Sequence, residues 1–189
     1  MKVIRKDHRN LDSIEAIINY IKSSPDRLPN FYFYGPTGCG KTRAAHEIAK
    51  ALNDKVYNKA KSQYWRRYNG EKVVLIDDIK VDDAKYFQAQ LTKWGDPFPN
   101  EIVVDGYYEK TRTDQGVSIH EQDVKRVTVD PSEYVLILAS TKKPEFILSL
   151  EPEDQAKFDR LYTVIEITPE MFEHKEKRKS KQSDVQEVA

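Results

Sequence analysis

Apolar residues in this chain fall into short blocks that alternate between a helical and a strand-like period. Leu11, Ile14, Ile17, Ile18 and Ile21 recur at the spacing of one helix face. Asp12 with Glu15 offers a capping-box start to that helix, and Ser23-Ser24-Pro25 a stop. Phe31-Tyr32-Phe33-Tyr34 reads as a buried strand, being short, aromatic and bounded by Pro and Gly. A helix is predicted over Lys41–Leu52, with Ala45, Ile48, Ala49 and Leu52 on one face, and Lys55-Val56-Tyr57 is a candidate second strand. Lys72-Val73-Val74-Leu75-Ile76 is the strongest strand signal, a continuous apolar run of the kind buried on both faces of a parallel sheet. The pattern then predicts a helix over Asp82–Trp94, a hairpin between Ile102 and Val129, and a buried strand at Tyr134–Ala139. A short helix at Asp154–Arg160 and a last strand at Tyr162–Ile167 complete it. Strands alternating with helices predict an α/β domain around a parallel sheet.

Composition narrows this picture. A chain of 189 residues fits one domain and buries a core without staples. The single Cys39 excludes a disulfide framework and a cysteine-rich zinc site. A formal charge of zero excludes global attraction to nucleic acid, so any such site must be a local patch. No apolar run is long enough to span a bilayer, and Met1–Lys6 lacks a secretory stretch. The expectation is a soluble intracellular protein. Composition becomes highly charged after Pro169, and Lys175–Lys181 predicts a frayed tail. That run also suits a nuclear signal or a nucleic-acid contact. The expected division is an N-terminal helical segment over 1–29, a candidate oligomerisation element, then a core over 30–168 and a tail over 169–189.

Gly35-Pro36-Thr37-Gly38-Cys39-Gly40-Lys41-Thr42 has the full spacing of a phosphate-binding loop and lies between a predicted strand and a predicted helix. Its glycines let backbone N–H groups turn toward phosphate oxygens, and the helix adds its dipole. Lys41 is expected to reach the β- and γ-phosphates and Thr42 to bind Mg²⁺. ATP and Mg²⁺ are therefore the implied ligands. Asp77 and Asp78 end the strongest strand, where one acid can hold the metal shell and a second can orient the attacking water. Asp77 is assigned to the metal and Asp78 to the water, against the alternative of a solvated turn.

Other features stay open between two readings. Tyr64-Trp65-Arg66-Arg67-Tyr68 suits either base stacking or packing of Trp65 beneath snorkelling arginines, with packing favoured slightly. Lys110, Arg112, Lys125 and Arg126 flank the hairpin and either line a nucleic-acid channel or belong to a solvated charged surface. Arg160 precedes the last strand and is either an arginine finger toward a neighbouring subunit or a surface ion-pair partner.

With these residues in place, the sequence resembles the superfamily 3 helicase domain of replication-associated (Rep) proteins of circular single-stranded DNA viruses. The phosphate loop carries the resemblance, with Tyr64-Trp65, Tyr68-Asn69-Gly70-Glu71 and Val73–Asp78. Leu136–Ser140 followed by Pro144 occupies the family's motif C, and the helix carrying Arg160 its arginine-finger region. The resemblance spans about residues 30–167. It implies an AAA+-like three-layer core and a ring, usually a hexamer, with ATP between subunits. It also implies a channel hairpin gripping single-stranded DNA, with RNA as the alternative. Location in a host nucleus follows for a DNA virus, and in cytoplasm otherwise. Three departures stand out. Of the paired histidines of the family's nicking endonuclease, only His8 stands before the phosphate loop. Asp105-Gly106 stands where the hairpin motif has Lys-Gly. Thr141 stands where motif C has its polar Asn sensor. The competing functions are a small P-loop nucleotide kinase and a nucleic-acid-binding ring that does not unwind. The paired Asp77-Asp78 and the late Arg160 favour the motor.

Overall fold

The computed structural model describes residues 11–24, 26–96, 98–113, 116–147 and 152–173. The predicted tail run Lys175–Lys181 and the N-terminal Met1–Lys6 lie outside them. In chain order the elements are α1 (Ile14–Lys22), β1 (Asn30–Tyr34), α2 (Lys41–Ala51), β2 (Val56–Asn58), β3 (Val73–Ile76) and α3 (Val81–Gly95). There follow β4 (Asn100–Thr113), β5 (Gly116–Val129), β6 (Val135–Ser140), α4 (Pro144–Ile147), α5 (Pro152–Leu161), β7 (Tyr162–Glu166) and a 3₁₀ helix at Pro169–Phe172.

Five strands form one parallel sheet in the order β2-β3-β6-β1-β7. Alternation along each strand divides the core into two layers. Phe31, Phe33, Val73, Leu75, Val135 and Ile137 pack with the apolar faces of α1 and α2. Tyr32, Val74, Ile76, Leu136 and Leu138 pack on the other side with Trp65, Leu91, Trp94 and Phe158. The result is the expected α/β domain with three layers and a central parallel sheet. Covering both faces is what leaves β3 and β6 buried at every position, apolar throughout except for Ser140.

β4 and β5 form a separate antiparallel hairpin. Ile102, Val104 and Val129 bury its base in the second layer of core. Asp105-Gly106 lies inside β4, beside two register shifts and well before the strand ends at Thr113.

Two expectations change. Ser13, not Asp12, caps α1: its backbone is extended (φ −142°, ψ 156°) and its hydroxyl accepts from the Ala16 N–H at 3.1 Å. The cap belongs to the residue adjoining the first helical turn, and that is Ser13. The charged tail also begins later than Pro169, because Met171 and Phe172 are buried in the first core layer. Helix α1 likewise buries Ile14, Ile17, Ile18 and Ile21 inside that layer. Among the described residues, no helix is long and apolar enough to cross a membrane.

Candidate functional site

Parallel strands bring their C-terminal ends to one edge of the sheet, where ligands of such folds bind. At that edge β1 runs into the loop Gly35–Gly40, and α2 begins at Lys41. Gly35 (φ +144°) and Gly40 (φ +106°) adopt backbone that L side chains rarely take. A β-carbon on Gly35 would lie 2.7 Å from the Ile167 carbonyl oxygen. Gly40 is the N-cap of α2 and provides no side-chain cap, so the first N–H groups of that helix are left for another acceptor. That is the arrangement that binds phosphate.

A cavity of about 370 Å³ opens above this edge. The loop supplies Thr37, Gly38, Gly40, Lys41 and Thr42, α2 adds Arg43, β3 leads to Asp77 and Asp78, and β6 leads to Ser140 and Thr141. Lys41 is nearly buried, and its ammonium donates to the carbonyls of Gly35 at 2.7 Å and Pro36 at 2.9 Å. The Thr42 hydroxyl donates to Asp77 Oδ2 at 2.6 Å. Two oxygens this close, at the rim of a cavity, fit one hard cation with oxygen ligands. Among the described residues no group of three or more His, Cys, Asp or Glu forms a metal cage. Mg²⁺ held through one carboxylate, one hydroxyl, waters and phosphates matches this donor set.

Asp78 is in the left-handed region (φ +52°), and its N–H donates to Asp77 Oδ1 at 2.8 Å. Its carboxylate lies 3.3 Å from the Lys80 ammonium. Lys61, from the β2–β3 connection, donates to the Asp78 carbonyl and to Asp83 Oδ2, the latter at 2.9 Å. Burial pushes the Asp83 carboxyl up, but bonds from Lys61 and the Lys80 backbone outweigh it and hold it below its usual value. Ser140 is fully buried, and its hydroxyl donates to the Ile79 carbonyl at 2.8 Å. Thr141, one residue on, is exposed.

The structure thus brings Lys41, Thr42, Asp77, Asp78 and Thr141 together around one cavity. Arg160 sits exposed in the last turn of α5 and is not among the residues that line it. The hairpin cations fall into two pairs. Lys125 stands opposite Asp105 and Arg126 opposite Val103, whereas Lys110 and Arg112 pair with Ile119 and Val117. Lys110 is five residues along β4 from Asp105, roughly 17 Å at strand rise. Trp65 is fully buried, stacked on Tyr57 and edge-on to Trp94, in line with the packing alternative for its segment. Lys61 and Phe172 were not legible as site neighbours, because no motif spacing marks them. Lys59 is buried, donates to the carbonyls of Ala60, Ser62 and Tyr64, and lies 4.0 Å from the Trp94 ring centre.

The strand order and the loop define an AAA+-like P-loop domain, in which β6 separates the loop strand β1 from the acid strand β3. Comparison with known proteins agrees with the resemblance drawn from sequence. The RNA helicase family model matches residues 31–116. A replication-associated protein of human associated cyclovirus 1 is 31% identical over 113 residues, covering 54% of this chain and 38% of the relative. That of beak and feather disease virus is 33% identical over 75 residues, or 40% of this chain and 24% of the relative. A proteasome-activating nucleotidase of Thermococcus onnurineus is 30% identical over 145 residues, or 69% of this chain and 32% of the relative. The chain therefore spans well under half the length of the relatives it matches.

Proposed function

We propose that this chain is the ATPase core of a nucleic-acid helicase of the replication-associated type, acting in viral rolling-circle DNA replication. The observation that carries the reading is the 2.6 Å contact between Thr42 and Asp77. It joins the phosphate loop to the acid strand across the intervening β6. Lys41 leaves its carbonyl partners to pair with the β- and γ-phosphates of ATP. Thr42 and Asp77 hold Mg²⁺, which neutralises charge developing on the phosphate oxygens. Asp78 orients the attacking water, and Thr141, the residue after β6, contributes a hydroxyl. Arg160 serves the site of a neighbouring subunit in a ring, taken to be a hexamer. The hairpin grips single-stranded DNA, or RNA, through Lys110, Arg112, Lys125 and Arg126. A nicking endonuclease domain belongs to the complete machine, whose site of action is the host nucleus when the template is DNA.

The test is steady-state ATP turnover with and without single-stranded DNA or RNA, with mass measured in parallel. Stimulated turnover and an ATP-dependent rise to a ring mass are expected. Lys41→Ala should lower turnover by at least about 10²-fold, since charge stabilisation dominates phosphoryl transfer. Absence of hydrolysis in the wild type, or transfer of phosphate to a nucleoside monophosphate, would refute the motor.

A further inference from the structure

The β2–β3 connection touches both ends of the proposed machine. At one end, Lys61 donates to the main-chain carbonyl of Asp78 and to Asp83 Oδ2 at 2.9 Å, and lies 3.9 Å from Asp78 Oδ2. Asp78 is a non-glycine residue in left-handed backbone, a sparsely populated setting that persists where its surroundings hold it. Lys61 is one of the groups that hold it. An ordinary surface ion pair would engage carboxylates alone. Here the ammonium also takes a backbone oxygen of the residue whose conformation is strained, and its side chain is only 29% exposed.

At the other end, the backbone N–H of Trp65 donates to the Val103 carbonyl at 2.7 Å and that of Arg67 to the Val104 carbonyl at 3.1 Å. Both acceptors lie at the base of the hairpin strand β4. Between the two ends the connection is stiff. Lys59 gathers the carbonyls of Ala60, Ser62 and Tyr64, and Trp65 is locked among Tyr57, Trp94 and Tyr134. Coupling between distant sites is carried by chains of packed and bonded groups of this kind.

We propose that Lys61 is a positioning residue for Asp78, and that the strap from Lys61 to Arg67 makes the setting of this acid depend on the hairpin base. The proposal rests on the ATPase reading above and adds to it the route by which nucleic acid stimulates hydrolysis. Nucleic acid held by the hairpin shifts Val103 and Val104, the strap follows, and Lys61 turns the Asp78 backbone into or out of its productive orientation.

The experiment compares wild type, Lys61→Met and Lys61→Arg in steady-state ATP turnover, with and without oligothymidylate, alongside unfolding midpoints. Lys61→Met keeps the length of the side chain and removes the donor. Its kcat is expected to fall roughly 10- to 100-fold, the scale on which a misplaced group costs rate. The KM for ATP should stay within about twofold, because the phosphate loop is untouched. The ratio of stimulated to basal turnover should collapse toward one, and Lys61→Arg should restore most of both. A normal kcat in Lys61→Met overturns the proposal. So does a fall in kcat with an unchanged stimulation ratio, or a loss that tracks the unfolding midpoint and is not restored by Arg. A wild type that does not hydrolyse ATP, or is not stimulated by nucleic acid, refutes the motor reading itself and this inference with it.

Discussion

Replacing Gly40 by alanine adds a β-carbon at the most crowded point of the phosphate loop. The new atom would lie 2.6 Å from Phe172 Cε2 and 2.8 Å from its Cζ. The backbone there has φ +106°, so the substitution is strained before any contact is counted, by about 1–2 kcal/mol. The contact must also be relieved. The Phe172 ring is buried, and the Arg43 guanidinium covers it at 4.4 Å from the ring centre. Swinging the ring out forfeits up to about 2–3 kcal/mol of burial. The total loss is then about 3–5 kcal/mol, a large share of a typical domain's stability. The alternative relief moves the loop, which preserves burial and spoils phosphate binding.

A double-mutant cycle separates the two. Phe172→Ala alone should cost about 3 kcal/mol or somewhat more in urea unfolding. Added to Gly40→Ala it should cost about 1–2 kcal/mol less, because the ring no longer opposes the β-carbon. Nucleotide affinity, read with a fluorescent ATP analogue, should drop in Gly40→Ala and partly recover in the double variant. Strict additivity of the two unfolding losses, or a Gly40→Ala protein with normal stability and affinity, would refute the reasoning.

Ser140→Ala should destabilise by about 1–3 kcal/mol, since it strands the buried Ile79 carbonyl. Thr141→Ala should leave stability within about 0.5 kcal/mol and lower turnover, while Thr141→Asn preserves or raises it; the reverse pattern would make Ser140 the polar sensor. Lys59 gives a pH signature: burial pushes its ammonium from 10.5 down to about 7, so between those values the unfolded chain holds a proton that the folded chain has released. Stability should therefore rise with pH across that window in the wild type relative to Lys59→Met, and parallel unfolding midpoints at about pH 7 and pH 9 would dismiss the effect. Arg160→Ala and Lys41→Ala subunits should regain some ATPase when mixed into one ring, and verified mixed rings without rescue would confine Arg160 to its own subunit or to no role.

What the sequence made legible was contiguous. The phosphate loop needs eight adjacent residues, and Asp77-Asp78 follows directly from the apolar run Val73–Ile76, so both can be placed by pattern alone. The hairpin and the alternating core of the sheet follow from period two. The contacts that escaped are between segments joined only by the fold. Lys61 meets Asp78 across 17 positions, and nothing in its neighbourhood differs from a solvated basic loop. Phe172 reaches Gly40 from the far end of the chain, within a stretch whose composition reads as tail. The α1 cap escaped for a smaller reason. Asp12 and Ser13 are both good caps, and only the backbone shows which one is extended.

Strand order explains why Ser140 and Thr141, which both line the cavity, meet it differently. β6 lies between β1 and β3, with Tyr34 level with Ser140 and Ile76 level with Leu138. β6 therefore continues two residues beyond the end of β3, which brings Ser140 beside the Asp78–Ile79 turn. There its hydroxyl is consumed by the Ile79 carbonyl, and the Ile79 N–H in turn donates to Ala139 at 2.9 Å. This pair of bonds staples the acid turn to β6 and leaves Ser140 without room to move. The next residue is the first one free of the sheet. Because β1 and β3 are two strand spacings apart, roughly 10 Å, the loop and the acids cannot touch directly through the sheet. Thr42 closes that gap by bonding to Asp77 across β6, and Thr141 lines the same cavity. Thr141 is exposed in the cavity that Thr42 and Asp77 also line, whereas the Ser140 hydroxyl is committed to the Ile79 carbonyl.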